Sequence, residues 1–470
     1  MPANTTDSSA PSDAKKPGGK KKGRRVRLLL LVLVLALVAG VGFGAYWSVS
    51  TVRASYPQTT GTITLEGLSG DVEVKRDAYG VPQLYADTDA DLFRAQGFVH
   101  AQDRFWEMDV RRHMTAGRLS EMFGSGQVET DAFLRTLGWR KVAQEEYDKV
   151  LDGETKKNLQ SYAEGVNAYL KGKEGRDISV EYAALGLTND YKPGEWTPVD
   201  SVAWLKAMAW DLRGNMQDEI DRSLLTSRLD QAQIRDLYPD YPYKTHQPIV
   251  DRGAVSPVTG KFDPDAAPSD TIGSQTAQGA TEGLNTQLSA LADTLDEIPA
   301  LLGPNGNGIG SNSWVVSGEH TTTGKALLAN DPHLAPMLPS LWYQMGLHCR
   351  KVSKTCQYDT AGYTFSGMPG VVIGHNKDIA WGLTNLGADV TDLFLEKVSG
   401  DGYLYDNKVK PFVTREETIK VAGGKDRKIT VRETNNGPLV SDRSKELDKV
   451  GQKAPVGNSA PTAPTVTPSR

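Results

Sequence analysis

The chain has 470 residues, 39% of them hydrophobic and 24% charged, which is enough for one large domain or about three average ones with a buried core. Its formal net charge is −5, but residues 1–27 hold eight basic and two acidic side chains, so the remainder carries −11. An acidic globular part argues against a nucleic-acid partner, and two cysteines exclude a disulfide-rich scaffold and a zinc site of four thiolates.

The first predicted element is a membrane-spanning helix. Residues 28–47 form an almost wholly apolar run, long enough to cross a hydrocarbon core of ~30 Å as a helix. The basic residues before it predict a cytoplasmic tail at 1–27 and a single-pass anchor at 28–50 in the cell membrane, with everything after about Arg53 outside the cell. A cleaved secretory signal is the competing interpretation, and it would make the protein secreted.

Residues 54–251 are predicted to combine strands and helices. Alternation and turn-forming glycines indicate short strands over 63–86. Apolar side chains spaced by three and four indicate helices over 89–124, 154–171 and 198–225, the last beginning with a capping threonine and a proline.

The composition then changes. Residues 252–310 begin rich in Ala, Ser, Thr, Gly and Pro and end in the run GPNGNGIG, which predicts a linker or spacer. This run is not a dinucleotide fingerprint, because serine occupies the position where the third glycine is required and the residues after it alternate like a strand. Residues 451–470 are rich in proline and predict a disordered tail.

Several catalytic arrangements have no support in this chain. It contains no Gly-x-Ser-x-Gly elbow, and its seven histidines show no His-x-x-x-His pairing, so neither an α/β-hydrolase nor a catalytic zinc site is indicated. Cys349 and Cys356 flank a polar turn that could bring two strands together and close a disulfide. Two unpaired thiols are the alternative.

Ser311 is the remaining candidate for chemistry, because it joins the glycine-rich segment to a predicted buried strand. Gly310 has no side chain to block attack of the Ser311 hydroxyl on the Gly310 carbonyl. An N-to-O acyl shift followed by ester hydrolysis would leave Ser311 as a new N-terminus. Its α-amine, with a reference pKa of about 7.7–8.0, could serve as base for its own hydroxyl. The alternative is a serine that simply ends a loop.

Seven motifs follow one another in order between about residues 65 and 445. They are RDAYGVPQLYA, GFVHAQDRFWEMDVRRHMTAGRLSEMFG, WTPVDSVAWLKAMAWDLRGNMQDEIDRSLL, GSNSWVVSG, LLANDPHL, GVVIGHNKDIAWGLTNLGADVTDLFLEKV and NNGPLV. Together they resemble the penicillin acylase (penicillin amidase) family of N-terminal-nucleophile hydrolases. The resemblance implies an α+β fold, the four-layer αββα sandwich, and hydrolysis of an N-acyl amide such as a penicillin, an acyl-homoserine lactone or a lipopeptide side chain.

The resemblance also implies processing and site residues. The precursor is expected to cut itself between Gly310 and Ser311, giving an α chain from residues 54–251 and a β chain that begins with residues 311–450. Ser311 matches the nucleophile. His333, in NDPHL, matches the residue that orients it, and Asn385, in WGLTN, lies where the family uses a backbone N–H as an oxyanion donor.

Two further sets of residues are implied by the same motifs. The expected ligands of a structural calcium ion are Glu219, Asp389, Thr391 and Asp392, whose oxygens suit that cation. A solvated acidic turn is the alternative. The expected acyl pocket is lined by Met208, Trp210 and Leu212, although ordinary core packing explains such side chains equally well. No organic cofactor is implied, and the expected partners are the substrate, the membrane and the two chains of one precursor.

One departure from the family bears on activity. Only 160 residues follow from Ser311 onward, fewer than in the family's β chain, and the second oxyanion donor of the family lies further downstream. We therefore expect an incomplete sandwich with unpaired strand edges and uncovered apolar surface. The alternatives to an active acylase are a truncated, catalytically inactive membrane-tethered remnant and one half of a split enzyme.

Overall fold

The computed structural model describes most of the chain before residue 240 and most of residues 310–443. The described residues are 20–212, 216–225, 228–239, 242, 245–246, 253–255, 261–265, 310–334, 336–385, 391, 393–443 and 462–466.

The α-helices are concentrated in the first half of the chain. In order they are α1 (Lys20–Ala54), α2 (Asp89–Thr115), α3 (Ser120–Phe123), α4 (Val128–Leu137), α5 (Trp139–Lys149), α6 (Gly153–Leu170), α7 (Gly175–Ile178), α8 (Val180–Leu185), α9 (Pro198–Asp211), α10 (Met216–Leu225) and α11 (Gln231–Leu237).

Strands dominate the second half. The strands are β1 (Glu73–Arg76), β2 (Pro82–Ala86), β3 (Ala254–Val255), β4 (Phe262–Asp263), β5 (Gly310–Val316), β6 (Leu327–His333), β7 (Trp342–Cys349), β8 (Asp359–Phe365), β9 (Ile373–His375), β10 (Ala380–Trp381), β11 (Leu393–Ser399), β12 (Gly402–Tyr405), β13 (Lys408–Pro411), β14 (Val413–Ile419), β15 (Arg427–Thr434), β16 (Gly437–Pro438) and β17 (Thr462–Val466). The protein is thus a mixed α+β structure.

The apolar segment predicted as a membrane anchor is helical. Helix α1 is 35 residues long, and its stretch Val26–Ala54 is long and apolar enough to cross a membrane by length and composition. Residues 26–50 are all exposed, so their apolar side chains are not covered by the described part of the protein.

A six-stranded sheet joins the two halves of the chain. Its order is β1-β2-β7-β8-β9-β10, and β2 runs parallel to β7 whereas the other neighbours are antiparallel. Helix α2 packs on β2 and β7 and against α6 on its other side. Two glycines allow the helices to approach closely. A Cβ on Gly97 would lie 2.1 Å from the Tyr162 carbonyl oxygen, and one on Gly165 would lie 1.8 Å from the Arg94 carbonyl oxygen.

The predicted helices are confirmed, and the two longer ones are interrupted. Helix α2 is kinked at Arg104, whose φ of −144° and ψ of 19° are not helical. Helix α2 ends at Thr115, before Gly117 with its positive φ of 61°, and α3 follows. Helix α9 begins as predicted, with Thr197 as N-cap, Pro198 in the first turn and a capping box formed with Asp200.

The structure adds detail to three of the predicted segments. Of residues 63–86, only β1 and β2 are strands. Within residues 252–310, the predicted spacer, the structure pairs β3 with β4, and most of the remaining segment lies outside the described residues. Within the predicted disordered tail, β17 pairs with β11 in a four-stranded sheet ordered β13-β12-β11-β17.

The strand that begins at Gly310 is not buried, which corrects the prediction made for it. Strand β5 pairs with β6, and in the described part of the chain these two strands form a sheet by themselves. The Trp314 and Val315 side chains are 55% and 71% exposed, and Leu327 across the ladder is 51% exposed. Alternation of residue types identified the strand but did not show whether another layer covers it.

Candidate functional site

The site predicted from sequence lies where β5 begins and β6 ends. The antiparallel register pairs Gly310 with His333 and Ser311 with Pro332. The ladder thus brings together the expected cleavage point and the histidine expected to act on it, although 22 residues separate them in sequence. Antiparallel partners directly opposite each other have their Cβ atoms about 4.5–5.5 Å apart.

Ser311 is placed against the peptide carbonyl before it. Its hydroxyl donates a hydrogen bond to the Gly310 carbonyl oxygen, with Oγ and O 2.5 Å apart. A Cβ added to Gly310 would meet no atom of the described residues within 4 Å. Ser311 is half-buried. Its nucleophilic atom and the carbonyl it is expected to attack are therefore in contact.

The His333 side chain has a different partner in this structure. Its Nε2 lies 2.9 Å from Oδ2 of Asp331, two residues earlier on the same strand. Side chains alternate along β6, so Asp331 and His333 lie on the sheet face of their partners Asn312 and Gly310, and Pro332 shares the other face with Ser311. The imidazole consequently faces the residue that cleavage would remove, not the serine hydroxyl.

Asn330 joins this ladder to the segment that carries Asn385. Its Nδ2 donates to the Asn312 carbonyl oxygen on β5 and to the Leu383 carbonyl oxygen, each at 3.0 Å. Its Oδ1 accepts a hydrogen bond from the Leu383 N–H at 3.2 Å. A Cβ on Gly382 would lie 2.6 Å from Cβ of Asn330, so the close approach depends on that glycine.

The sequence motifs did not mark Asn330 or Asp331 individually. Both residues lie inside LLANDPHL, shortly before His333, so this motif was the available signal for them. Asn385 is described and exposed, two residues beyond Leu383. Two hydrogen bonds of Asn330 therefore hold the backbone of Leu383, near the expected oxyanion donor, and the third links it to β5.

The residues expected to form an acyl pocket lie in or against one apolar cluster. Met208 is buried in this cluster, and Trp210 and Leu212 are partly buried against it. Leu334, the residue after His333, packs against the same cluster. This arrangement connects the end of β6 to helix α9, although buried core packing describes Met208 equally well.

The expected calcium ligands are only partly described. Asp389 and Asp392 lie outside the described residues, and Glu219 lies on α10. Thr391 is described and is 5% exposed. Ile220, next to Glu219, and Leu393, two residues after Thr391, pack in the same apolar cluster, so the two segments that would supply the ligands meet. Carboxylate and carbonyl oxygens from these segments fit a calcium ion.

A buried histidine ties helices α2 and α6 to the six-stranded sheet. His100 of α2 lies 2.8 Å through Nδ1 from the Tyr162 hydroxyl of α6 and 3.0 Å through Nε2 from the Thr364 hydroxyl of β8. Complete burial, with a smaller effect of the Arg104 charge, lowers the pKa of His100 from 6.5 to about 3. This imidazole is therefore neutral at physiological pH and has a structural role.

The two cysteines are joined in a disulfide. Cys349 ends β7 and Cys356 precedes β8, and their Cα atoms are 5.6 Å apart. The Cys349 N–H also donates to the Tyr358 carbonyl oxygen at 2.8 Å, which continues the β7–β8 ladder into the turn. Asp89 lies beside the two sulfur atoms, but their bond to each other leaves no thiolate for a metal.

Comparison with known proteins places these observations in a family context. A family model described as penicillin amidase matches residues 71–465. Penicillin acylase 2 proenzyme of Pseudomonas sp. (strain SE83) is 31% identical over 83% of this chain and 46% of its own length. Acyl-homoserine lactone acylase QuiP of Pseudomonas aeruginosa is 30% identical over 87% of this chain and 45% of its own length. The chain thus spans about half the length of these relatives.

One solved structure also aligns with part of this chain. Thermostable penicillin G acylase from Alcaligenes faecalis is 28% identical, with a TM-score of 0.32, over 38% of this chain and 97% of that one.

Proposed function

Because the chain belongs to the penicillin amidase family, we propose that it is an acyl-amide hydrolase that cuts itself between Gly310 and Ser311 and then uses Ser311 as its nucleophile. The observation that carries this proposal is the contact of the Ser311 hydroxyl with the Gly310 carbonyl at the start of a strand. The relatives are named as acylases for penicillins and acyl-homoserine lactones, which are N-acyl amides, and we propose the same substrate class here.

Self-cleavage would proceed through an ester. The Ser311 Oγ attacks the Gly310 carbonyl carbon and loses its proton, and the peptide C–N bond breaks as its nitrogen takes up a proton. Water then hydrolyses the ester, which leaves a carboxylate on Gly310 and a free α-amine on Ser311. The pairing of β5 with β6 supports this order of events, because it holds the C-terminal side of the bond in place while the preceding segment is released.

Release of Gly310 gives His333 a role in the mature site. The position opposite His333 in the ladder empties, and the new Ser311 α-amine lies at its edge. In the proposed site, the imidazole then hydrogen-bonds in this space and orients the amine, while Asp331 holds its Nε2. The amine in turn serves as base for its own hydroxyl, which attacks the acyl carbon of the substrate.

The developing oxyanion requires a hydrogen-bond donor fixed before the reaction. We propose the backbone N–H of Asn385, held by the bonds that Asn330 makes to Leu383. The acyl chain of the substrate would lie against the cluster that contains Met208 and borders Trp210 and Leu212.

The remaining assignments concern architecture. We propose that the α+β structure is part of an αββα sandwich, with residues 54–251 as the α chain, 252–310 as a removed spacer and 311–450 as β-chain sequence. Glu219, Asp389, Thr391 and Asp392 would hold a calcium ion that ties the two chains together after cleavage. Helix α1 would anchor the protein in the cell membrane with the catalytic part outside.

The proposal is tested by the release of amine from N-acyl substrates. The full chain in detergent would be incubated with 6-aminopenicillanic acid and homoserine lactone, each acylated with a series of chain lengths, and free amine would be quantified. A Ser311→Ala variant is the control. Release by wild type but not by the variant supports the proposal. No release from any substrate contradicts it and favours a chain that lacks catalytic activity by itself.

A further inference from the structure

Helices α7 and α8 form a surface beside the C-terminal end of α1. The two short helices pack against α1, and among the described side chains of α1 only Thr51 is buried, at 7% exposed. The α1 residues before it, 26–50, are all exposed. The apolar helix therefore meets the body of the protein at its last turn, and α7 and α8 provide the contact.

The depth of this contact follows from the length of the helix. Tyr46 and Trp47 end the apolar run, and aromatic residues at that position are typical of the membrane–water interface. A helix rises about 1.5 Å per residue, so Thr51 lies roughly 6 Å beyond Trp47. The headgroup layer on each side of a bilayer is about 5–7 Å thick. With α1 in a membrane, α7 and α8 thus lie at headgroup depth.

This surface exposes apolar side chains where polar ones are usual. Val180, the first residue of α8, is 41% exposed, and Leu187, two residues beyond the helix, is 75% exposed. Charges do not account for the contact, because residues 171–192 contain four basic and four acidic side chains. A contact with lipid here would rest on burial of apolar side chains and would depend little on salt.

We infer that the α7–α8 surface, with Val180 and Leu187, rests in the interfacial layer of the lipid bilayer as a second contact beside the anchor. This inference depends on the proposed membrane insertion of α1, but not on the acylase activity. One helix leaves a protein free to tilt and rotate, whereas a second contact on the body fixes which face is turned toward the membrane.

Single labelled cysteines can test this contact in the full chain. Both native cysteines are in a disulfide, so an introduced thiol is the reactive one. Three variants would each carry a polarity-sensitive fluorophore: Leu187→Cys on the surface, Leu35→Cys in the anchor, and Ile379→Cys as a control that is 62% exposed in the turn between β9 and β10. Each would be placed in phosphatidylcholine nanodiscs with and without brominated acyl chains.

The inference predicts that brominated lipid quenches the labels at 187 and 35 but not at 379. The emission at 187 should also be blue-shifted, and high salt should not reverse the quenching. Quenching at 35 without quenching at 187 would overturn the inference and leave the anchor intact. No quenching at 35 would show that α1 does not insert, and the proposed anchor and the α7–α8 contact would then both be wrong. Equal quenching at 379 would indicate non-specific adsorption and would also overturn the inference.

Discussion

Replacement of Asn330 by alanine tests how the proposed oxyanion donor is held in place. The substitution removes three hydrogen bonds, two donated by Nδ2 to carbonyl oxygens and one accepted by Oδ1 from the Leu383 N–H. A hydrogen bond contributes about 0.5–1.5 kcal/mol net, and because Asn330 is half-buried we expect a total in the lower half of the range for three bonds, about 1.5–3 kcal/mol.

This energy is expected to appear as local opening rather than global unfolding. Every 1.4 kcal/mol changes an equilibrium about tenfold, so the Leu383 N–H should exchange with solvent roughly 10- to 100-fold faster in Asn330→Ala. Hydrogen exchange followed by mass spectrometry measures this directly on peptides that contain residues 382–385. Self-cleavage and acyl-amide hydrolysis should slow in the same variant.

Asn330→Asp separates the donor from the acceptor. It retains an acceptor for the Leu383 N–H but places a carboxylate oxygen against the Asn312 and Leu383 carbonyl oxygens, so exchange at Leu383 should be at least as fast as in Asn330→Ala. Unchanged exchange at Leu383 in Asn330→Ala would refute the claim that Asn330 fixes this segment.

Three further predictions concern the site and its support. Gly382→Ala should destabilise the protein by about 1–3 kcal/mol in thermal unfolding and slow self-cleavage, because its Cβ would lie 2.6 Å from Cβ of Asn330. Gly310→Ala is the control for stability, because a Cβ there meets no atom of the described residues within 4 Å and the variant should unfold like wild type. His100 binds a proton in the unfolded state but not in the folded state between pH 6.5 and 3, so the free energy of unfolding should fall with pH by up to about 1.4 kcal/mol per pH unit. Urea unfolding at pH 7.5 and 5 should show this decrease in wild type and a smaller one in His100→Gln. Calcium at 100 times its dissociation constant should stabilise the folded chain by about 2.7 kcal/mol, measured by thermal unfolding with and without chelator, and equal stabilisation of Asp389→Asn would contradict the proposed ligand set.

Local sequence signals predicted the helices well. The periodicity of residues 89–124 and the start of α9 at Pro198 are encoded in neighbouring residues, through apolar spacing and a capping box. The limits of the strands in residues 63–86 were harder, because only β1 and β2 have a pairing partner, and pairing is decided by distant segments such as β7.

The proposed site follows in part from the sequence. The motifs predicted roles for Ser311 and His333, and the register of β5 and β6 brings the end of one strand to the start of the other. The face to which the His333 imidazole points depends on that register, which residue types alone do not determine. The role of Asn330 also escaped prediction, because its partners lie 18 and 53 residues away in sequence. The exposure of β5 was not predicted either, because it depends on whether another layer of the protein packs on the strand, and alternation of residue types does not show this.

The most direct test of the proposed chemistry is the intact mass of the full chain purified in detergent. The account predicts that wild type yields a fragment whose first residue is Ser311, identified by N-terminal sequencing, and that Ser311→Ala remains uncut. A wild-type chain that stays intact, or a Ser311→Ala variant that is cut at the same bond, would contradict the assignment of Ser311 as the residue that cleaves the chain.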